Sequence, residues 1–442
     1  MKKLKMYSPE IETKLKRKKI KVGDRIRVEK GKTVLEGILM PRAEFGDPSC
    51  IVLKLDNGYN LGIKYEKGTR IELLEKGKPI KFKEAKASIT KDPTKPTISI
   101  LGCGGTIASR VEYLTGAVYP IFSPADLLVS FPELKKLANL QGRKLFDLLS
   151  EDMTPMHWQI IAKEVAKEIK KKVDGVILTH GTDPMHYTSA ALSFMLQNLP
   201  VPVVLTGAQR SSDRGSSDAR LNLLCSCSAA CSEIAEVSVC MHATSSDTYC
   251  FLHQGCRVRK LHTSARDAFQ SVNALPFAKV YPDGKIEELR KNFRRKDKKR
   301  RLRVDTKINP RVGLVFIHPG IPPAFIESLS KFYDGIVLAA TGLGHVPTNP
   351  FNDKLARSIV PALKSLIQSG IPVVVAPQTL FGRINMCVYT AGRILDRIGV
   401  IGNYCDWLPE VALVKLMWVL GRTKQMKKIK RLMLTNLAGE IS

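Results

Sequence analysis

The chain has 442 residues, which is too long for one ordinary hydrophobic core and predicts two or three domains. Apolar residues make up 44% of the chain, which excludes a globally disordered protein. Lys and Arg number 70 against 41 Asp and Glu, so the formal net charge is +29. Such an excess attracts polyanions, RNA above all, although a host with a generally basic proteome would produce it as well.

Cysteine usage and hydropathy indicate a cytoplasmic protein without a metal site. The ten cysteines lack the regular spacing of a disulfide framework. Cys227 and Cys231 share a face of a predicted helix, but no His or further Cys pair completes four ligands, so buried thiols in a reducing cytosol are the simpler interpretation. The first residues are charged and no apolar run reaches the length of a membrane span, so we expect neither a secretory signal nor a membrane anchor.

The amino-terminal part divides into three segments of different composition. Residues 1–20 are rich in lysine and predict a basic tail, either solvated or forming a short helix. Residues 21–78 alternate apolar and polar positions between turn signals such as Asp56-Asn57-Gly58, which predicts a small antiparallel β-barrel. We interpret this barrel as an interaction module, because it holds no evident catalytic set. Residues 79–96 combine lysines with three prolines and predict a linker.

From Thr97 onward strands alternate with helices, which predicts a parallel sheet covered by helices on both faces. Residues 97–285 form the first such unit and residues 311–442 a second, smaller one, with a highly basic surface connection at 286–310. Ligands of such sheets bind at the carboxyl ends of the strands. The predicted fold class is therefore α/β, a two-part parallel-sheet unit preceded by the small antiparallel barrel.

The first candidate site motif is Ile98-Ser-Ile-Leu-Gly-Cys-Gly-Gly-Thr-Ile-Ala-Ser109, an apolar strand that enters a glycine-rich turn. Gly104 and Gly105 allow a sharp turn and leave backbone N–H groups accessible to a ligand. The turn presents the hydroxyl of Thr106. This pattern alone is a weak signal, because any tight turn between a strand and a helix resembles it and Thr106 could equally cap that helix.

A second strand end, Val176-Ile-Leu-Thr-His-Gly-Thr-Asp183, places the hydroxyl of Thr182 beside the carboxylate of Asp183. Lys260 follows in a polar stretch further along the chain. A hydroxyl nucleophile needs a base, and a partly desolvated lysine can provide one. Each residue also has a structural interpretation: Asp183 followed by Pro184 has the form of a helix N-cap, and Lys260 alone would be a solvated cation.

The GGTIAS-like turn and the HGTD motif, in this order, resemble the asparaginase family, and the similarity covers residues 96–440. The resemblance implies hydrolysis of a side-chain amide by the catalytic residues Thr106, Thr182, Asp183 and Lys260. It implies substrate binding by Ser150, Glu151 and Gly105. One threonine would attack the amide carbon, the glycine turn would stabilise the oxyanion, and ammonia would leave before water releases the acid. The sequence does not decide which threonine attacks first.

Two positions depart from that family pattern. Pro184 stands where the family has HGTDT, which leaves Thr182 and Asp183 intact. Ala117 stands where free asparaginases carry a tyrosine that helps polarise the nucleophile. We therefore expect activity to depend on closure of this loop by substrate or partner.

Two further motifs and the amino-terminal extension narrow the resemblance to the glutaminase subunits of archaeal tRNA-dependent amidotransferases. The first motif is Gly207-Ala-Gln-Arg-Ser-Ser-Asp-Arg214 together with Ser216-Ser-Asp-Ala-Arg-Leu-Asn-Leu223, and the second is Arg257-Val-Arg-Lys-Leu-His-Thr-Ser-Ala-Arg-Asp-Ala-Phe269. The resemblance implies glutamine as the amide donor and an E-type partner subunit that amidates Glu-tRNA(Gln) with ATP and Mg²⁺. It also implies a heterodimer or a dimer of heterodimers in which this subunit forms homodimers. We expect no tightly bound cofactor, and the chain has no Gly-x-x-x-x-Gly-Lys-Ser/Thr loop.

Two other functions stay open. A free-standing L-asparaginase would perform the same class of reaction without tRNA, but it has no need of the amino-terminal barrel. A non-catalytic RNA-binding scaffold would account for the net charge of +29. Activity of the isolated chain on asparagine favours the first alternative, and RNA binding without amide hydrolysis favours the second.

Overall fold

The computed structural model describes residues 7–41, 47–56, 59–77, 92–105, 107, 109–111, 118–120, 131–210 and 217–442. Thr106 lies outside these residues, as do Ala117 and most of the predicted linker. Within the described part, a small amino-terminal sheet precedes two α/β units.

The amino-terminal unit is an antiparallel sheet of five strands in the order β4-β3-β2-β1-β5. The strands are β1 (Arg25–Lys30), β2 (Thr33–Leu39), β3 (Cys50–Lys54), β4 (Asn60–Lys64) and β5 (Arg70–Glu75). The predicted basic tail is structured from residue 9 onward, because helix α1 (Pro9–Arg17) buries Ile11 and Leu15 in the core of this sheet. Apolar residues at a spacing of four place one side of the helix against the strands. Of the two alternatives that the sequence leaves open, a solvated tail and a short helix, the structure has the helix.

The second unit contains one eight-stranded sheet in the order β18-β17-β14-β13-β12-β10-β6-β9. Its strands are β6 (Thr97–Gly102), β9 (Asn139–Lys144), β10 (Gly175–Thr179), β12 (Val203–Thr206), β13 (Val237–His242), β14 (Cys250–Gln254), β17 (Ala278–Val280) and β18 (Ile286–Glu288). Five neighbouring strands of this sheet pair in parallel: β9, β6, β10, β12 and β13. The remaining pairs are antiparallel: β13 with β14, β14 with β17, and β17 with β18. Since β18 is the last strand of this sheet, the predicted connection at 286–310 begins inside the sheet.

Helices cover both faces of this sheet. They are α2 (Leu134–Leu137), α3 (Pro155–Lys170), α4 (Met185–Met195) and α5 (Ala219–Cys231). Every residue of β10 and β12 is buried, as expected for central parallel strands that carry apolar side chains on both faces. Short two-stranded ladders complete the unit: β7 (Ser109–Val111) with β8 (Val118–Pro120), β11 (Leu196–Gln197) with β19 (Arg303–Val304), and β15 (Val258–Lys260) with β16 (Phe269–Ser271).

The carboxyl-terminal unit has a parallel sheet in the order β20-β21-β22. Its elements are β20 (Val312–Phe316), β21 (Gly335–Ala340), β22 (Val373–Pro377), α6 (Pro323–Ser328), α7 (Val360–Gln368), α8 (Thr390–Ile398), α9 (Pro409–Leu420) and α10 (Met426–Leu434). One hydrophobic core joins both α/β units, and it includes Val176 of the main sheet, Val337 of the smaller sheet and Val414 of α9. Helix α9 is thus a structural element of the interface between the units.

Candidate active site

Three neighbouring strands, β6, β10 and β12, end at the same edge of the main sheet and are followed by closely packed glycines. A Cβ atom added to Gly105, after β6, would lie 2.6 Å from the backbone nitrogen of Gly181, after β10. A Cβ atom on Gly207, after β12, would lie 2.5 Å from the carbonyl oxygen of His180. Real Cβ atoms do not approach other atoms this closely, so the three turns pack together only because they lack side chains. This edge is the one at which ligands of parallel sheets bind.

Gly105 directly precedes Thr106, one of the two predicted catalytic threonines. Its φ of +89° lies in the left-handed region that favours glycine, and its neighbour Gly104 has a φ of +88°. Gly105 packs against Gly181, which directly precedes Thr182. Because Thr106 lies outside the described residues, its own position in the site stays a prediction.

Thr182, Asp183 and Lys260 converge in the structure. The Nζ atom of Lys260 lies 2.9 Å from Oγ1 of Thr182 and 2.7 Å from Oδ1 of Asp183. Lys260 comes from β15, which is 78 residues further along the chain than Thr182. The side chain of Lys260 is 8% exposed whereas that of Asp183 is 69% exposed, so the cation lies beneath a solvent-facing carboxylate. The ion pair holds the lysine against the threonine hydroxyl.

The hydroxyl of Thr182 has a second partner, to which no sequence pattern pointed. Its Oγ1 atom donates to Oε1 of Gln209 at 3.3 Å, while it accepts from Lys260. The hydroxyl proton of Thr182 therefore points toward Gln209 in this structure. Transfer of that proton to the lysine requires a neutral amine and a rotation of the hydroxyl.

Asp218 holds the segment that carries Gln209. Its buried carboxylate accepts the backbone N–H groups of Gln209 at 2.9 Å and of Arg210 at 3.0 Å. The amide of Asn222 also donates to Asp218 at 3.0 Å and to the carbonyl of Gly207 at 3.0 Å. A carboxylate that satisfies several buried donors is a rigid anchor. The family resemblance rests partly on the motif that contains both Gln209 and Asp218, but only the fold shows that Asp218 holds the backbone of Gln209.

His180, in the HGTD motif, has a structural role. Its ring Nδ1 donates to the carbonyl of Gly181 at 2.6 Å, and its Nε2 accepts from Thr188, whose hydroxyl in turn accepts from the indole of Trp158 at 3.0 Å. Complete burial lowers the pKa of His180 to about 4, so the ring is neutral at pH 7. These bonds fix the backbone on the amino-terminal side of Thr182.

The predicted substrate-binding residues Ser150 and Glu151 lie on a 3₁₀ turn, Ser150–Asp152. Ser150 is buried beneath the HGTD turn, where a Cβ atom on Gly181 would overlap its side chain. Glu151 is exposed, and no hydrogen bond or ion pair of its side chain is found within the described part of the chain. The structure thus brings Ser150 to the site and leaves the carboxylate of Glu151 facing solvent. Substrate binding by either residue stays a prediction.

A buried carboxylate from α9 joins the two segments that carry the polar site residues. Oε1 of Glu410 lies 3.1 Å from Nε of Arg259, which directly precedes Lys260, and 3.4 Å from Nε2 of His186, which is three residues after Asp183. Burial raises the pKa of Glu410, and the nearby Arg259 opposes this rise. Burial also lowers the pKa of His186 to about 3, so this ring is neutral. No pattern in the sequence pointed to Glu410.

This arrangement can perform acyl transfer. It provides a hydroxyl, an amine within hydrogen-bonding distance of that hydroxyl, and a carboxylate that stabilises the amine when it is charged. Among the described residues, no group of three or more His, Cys, Asp or Glu side chains is placed to hold a metal ion. A search of the described helices likewise found none of the length and hydropathy that a membrane span requires.

Models of three protein families match the chain. "Asparaginase, N-terminal" matches residues 97–294, "Glutaminase/Asparaginase C-terminal domain" matches residues 311–433, and "GatD N-terminal domain" matches residues 20–74. The third match falls on the amino-terminal antiparallel sheet, and the other two fall on the α/β units.

Curated relatives are similar over nearly the whole chain. The D-type subunit (GatD) of the glutamyl-tRNA(Gln) amidotransferase of Pyrococcus furiosus is 49% identical over 437 residues, which cover 98% of this chain and 97% of the relative. The protein of the same name from Methanothermobacter thermautotrophicus is 49% identical over 425 residues, which cover 96% and 94%.

Solved structures share the fold of the α/β units. The L-asparaginase of Thermococcus kodakarensis aligns with a TM-score of 0.69 and 30% identity over 78% of this chain and 99% of that one. L-asparaginase I of Vibrio cholerae aligns with a TM-score of 0.68 and 31% identity over 79% and 99%. Both comparisons agree with the predicted asparaginase-like fold.

Proposed function

This chain belongs to the GatD family of glutamyl-tRNA(Gln) amidotransferase subunits, and from that membership we propose that it hydrolyses glutamine and supplies the ammonia that converts Glu-tRNA(Gln) to Gln-tRNA(Gln). The observation that carries the proposal is the contact of Lys260 with both Thr182 and Asp183. The chain is an amidohydrolase that acts within a carbon–nitrogen ligase. Its E-type partner subunit activates and amidates the glutamyl group with ATP and Mg²⁺, and this chain itself holds no tightly bound cofactor.

The reaction begins when a threonine hydroxyl attacks the side-chain amide carbon of glutamine. The amine of Lys260 takes the proton of Thr182, and Asp183 stabilises the ammonium that results. Backbone N–H groups of the turn at Gly105 stabilise the oxyanion. The tetrahedral intermediate breaks its C–N bond as the Lys260 ammonium returns its proton to the leaving nitrogen, which departs as ammonia, and water then attacks the acyl-threonine to release glutamate. Thr106 is the second hydroxyl of this mechanism, and the order in which the two threonines act stays open.

Substrate binding and assembly complete the proposal. Ser150 and Glu151 bind the amino-acid head group, because a hydroxyl suits its carboxylate and a carboxylate suits its ammonium. The subunit works in a heterodimer or a dimer of heterodimers and forms homodimers, and Glu-tRNA(Gln) is bound through the partner. We place the complex in the cytoplasm, where its ten unpaired thiols stay reduced.

The test separates glutamine hydrolysis from amidation. The full complex with its partner is supplied with Glu-tRNA(Gln), ATP and Mg²⁺, and either glutamine or ammonium chloride serves as the nitrogen source. We expect Thr182→Val to abolish formation of Gln-tRNA(Gln) from glutamine but not from ammonium. Equal loss with both sources would show that the variant damages the assembly, and retained use of glutamine would contradict the proposed role of Thr182.

The similarity to L-asparaginases supports one alternative function, which can be tested separately. A free-standing asparaginase would release ammonia from asparagine at full rate without the partner. The match of residues 20–74 to the "GatD N-terminal domain" favours the amidotransferase instead. We therefore expect the partner and Glu-tRNA(Gln) to stimulate ammonia release from glutamine.

A further inference from the structure

A groove of about 950 Å³ lies at the opposite edge of the main sheet from the glycine turns. Val173 and Val201 line this groove and lie two residues before β10 and β12, whereas Thr182 and Gln209 follow these strands. A five-residue strand spans roughly 16 Å, so the length of the sheet separates the groove from the candidate active site. The groove is therefore independent of glutamine hydrolysis.

The groove is strongly basic. Eight of its fifteen lining residues are Lys or Arg, and none of the lining residues is acidic. The carboxyl-terminal half of α3 and the turn after it form one wall, with Lys163, Lys170 and Lys172. The segment before β19 forms the other wall, with Lys299 and Arg301. This second wall belongs to the basic run for which the sequence predicts only a connection.

Most of these cations have no counter-charge. Lys167 pairs with Glu164 at 2.7 Å, and Lys298 pairs with Asp174 at 2.5 Å. Neither of these two acidic residues lines the groove. Arg300 donates to two backbone carbonyls, each at 2.9 Å, and lies 4.0 Å from Asp297. The other five charged residues on the two walls are exposed, and within the described part of the chain their side chains make no hydrogen bond or ion pair: Lys163, Lys170, Lys172, Lys299 and Arg301. Unpaired like charges facing each other across a groove repel one another, and a bound polyanion relieves that repulsion.

The charges on the two walls favour a phosphate backbone as the occupant of the groove. The floor also offers apolar surface, because Ala166 and Val173 are buried whereas Ile169, Leu302 and Val304 are partly or fully exposed. Among the described residues that line the groove there is no aromatic side chain, which removes the usual platform for stacking unpaired bases. The lysine and arginine head groups of the two walls suit a regularly spaced series of negative charges.

We propose that this basic groove binds the phosphodiester backbone of RNA, without reading its sequence. The choice of tRNA as the RNA rests on the proposed function, because that function gives the complex a tRNA substrate. Since the groove is remote from Thr182, a bound backbone leaves the glutamine site open. The groove adds a contact with the backbone of a tRNA that the partner binds and amidates at its aminoacyl end.

The test measures binding of a fluorescently labelled tRNA(Gln) transcript to the full chain at several salt concentrations. K170E/K172E/R301E reverses three groove charges, and K427E/K428E/K430E makes the same charge change on exposed lysines of α10 as a matched control. We expect the groove variant to bind tRNA at least about tenfold more weakly than the wild type. We also expect the slope of log Kd against log salt concentration to fall by about 3, because each lost phosphate contact lowers this slope by about 1. The control should keep the wild-type affinity and slope.

Three outcomes would overturn the proposal. Equal weakening by the groove and control variants would show that net charge alone attracts RNA. Unchanged binding by both would show that tRNA does not use this groove. Displacement of tRNA by polyglutamate as readily as by unlabelled tRNA would indicate an acidic protein partner instead. The neutral variant K170Q/K172Q/R301Q repeats the test if the reversed charges impair folding.

Glutamine hydrolysis is measured on the same variants and should match the wild type. If no variant hydrolyses glutamine but the groove variant alone loses tRNA binding, the proposed function fails and the groove proposal stands. If hydrolysis is normal and tRNA binding does not depend on the groove, only the groove proposal fails.

Discussion

Arg259 and Glu410 form an ion pair, with 3.1 Å between Nε and Oε1, that joins the strand carrying Lys260 to a helix of the carboxyl-terminal unit. Glu410 also lies beside His186, and His186 belongs to the helix that follows Asp183. The pair thus ties the segment that carries Lys260 to the carboxyl-terminal unit, and Glu410 also contacts the helix that follows Asp183. A residue of the second unit positions polar groups of a site built by the first.

We expect Glu410→Gln to lower kcat for glutamine about tenfold while KM changes less than twofold. The substitution keeps the shape of the side chain but removes the charge that anchors Arg259, so Lys260 is held less firmly against Thr182. Steady-state glutamine hydrolysis measures both constants. Glu236→Gln is the matched control, because Glu236 pairs with Arg294 at the same distance of 3.1 Å but away from Thr182. Equal loss of kcat in both variants would assign Glu410 a purely structural role.

We expect Gly105→Ala to reduce glutamine hydrolysis at least about a hundredfold. The added Cβ would lie 2.6 Å from the backbone nitrogen of Gly181, so the turn after β6 must move away from Thr182. Gly31→Ala is the control, because Gly31 also has a positive φ, +57°, but nothing within 4 Å of an added Cβ. We expect the control to lose about 1 kcal/mol of stability and to keep full activity. Normal activity of Gly105→Ala would contradict the tight packing at this edge.

We expect Lys260→Met to lower kcat for glutamine by about 10² to 10⁴, the range typical of a lost acid–base group. Methionine fills a similar volume but cannot exchange a proton with Thr182 or pair with Asp183. Lys279→Met is the control, since Lys279 pairs with Glu287 at 2.9 Å on a remote strand pair. Ammonium-dependent formation of Gln-tRNA(Gln) by the Lys260 variant in the full complex should persist. Turnover of glutamine at the wild-type rate would exclude Lys260 from the chemistry.

We expect the free energy of unfolding to fall steeply between pH 7 and pH 5. Burial lowers the pKa of His180 to about 4 and those of His186 and His253 to about 3, whereas the unfolded chain has ordinary histidines that titrate near 6.5. As the pH falls through 6.5, the unfolded state takes up protons that the folded state excludes, so each ring costs about 2 kcal/mol by pH 5.

Denaturant unfolding of His253→Asn at the two pH values checks this prediction. Asn retains a polar atom near Ser271, the partner of the His253 ring at 2.8 Å, but does not titrate. The pH-dependent loss of stability attributable to these three histidines should shrink by about one third. An unchanged pH dependence would show that His253 is protonated in the folded state.

Local pattern is enough to predict the strand ends and several site residues. Apolar runs followed by glycine mark β6 and β10, because a buried parallel strand must be apolar and a tight turn after it needs residues without Cβ atoms. The prediction that a lysine acts as a base for Thr182 requires the family resemblance, because Lys260 in its own sequence context would be read as a solvated cation. The geometry places it against Thr182 and Asp183.

Longer-range relations leave no pattern in the sequence. The lysine-rich composition of the first residues leaves a solvated tail and a short helix both open, and the burial of Ile11 and Leu15 against the sheet decides for the helix. Gln209 belongs to a motif that carries the resemblance but has no role from sequence, since only the parallel pairing of β10 with β12 brings it to Thr182. No sequence pattern marks Glu410 as a residue near the site, because its partners lie more than a hundred residues away in sequence.

The sequence by itself determined which kinds of groups the protein has available and which strands present them: hydroxyls, a carboxylate and glycine turns at the ends of apolar runs. The tertiary structure alone decided which charges pair and which do not. It buries Glu410 against Arg259 and leaves Lys170 and Arg301 unpaired within the described part of the chain. The physical reason is that the strength of a charge interaction depends on distance and burial, and both are set by packing between segments far apart in the chain.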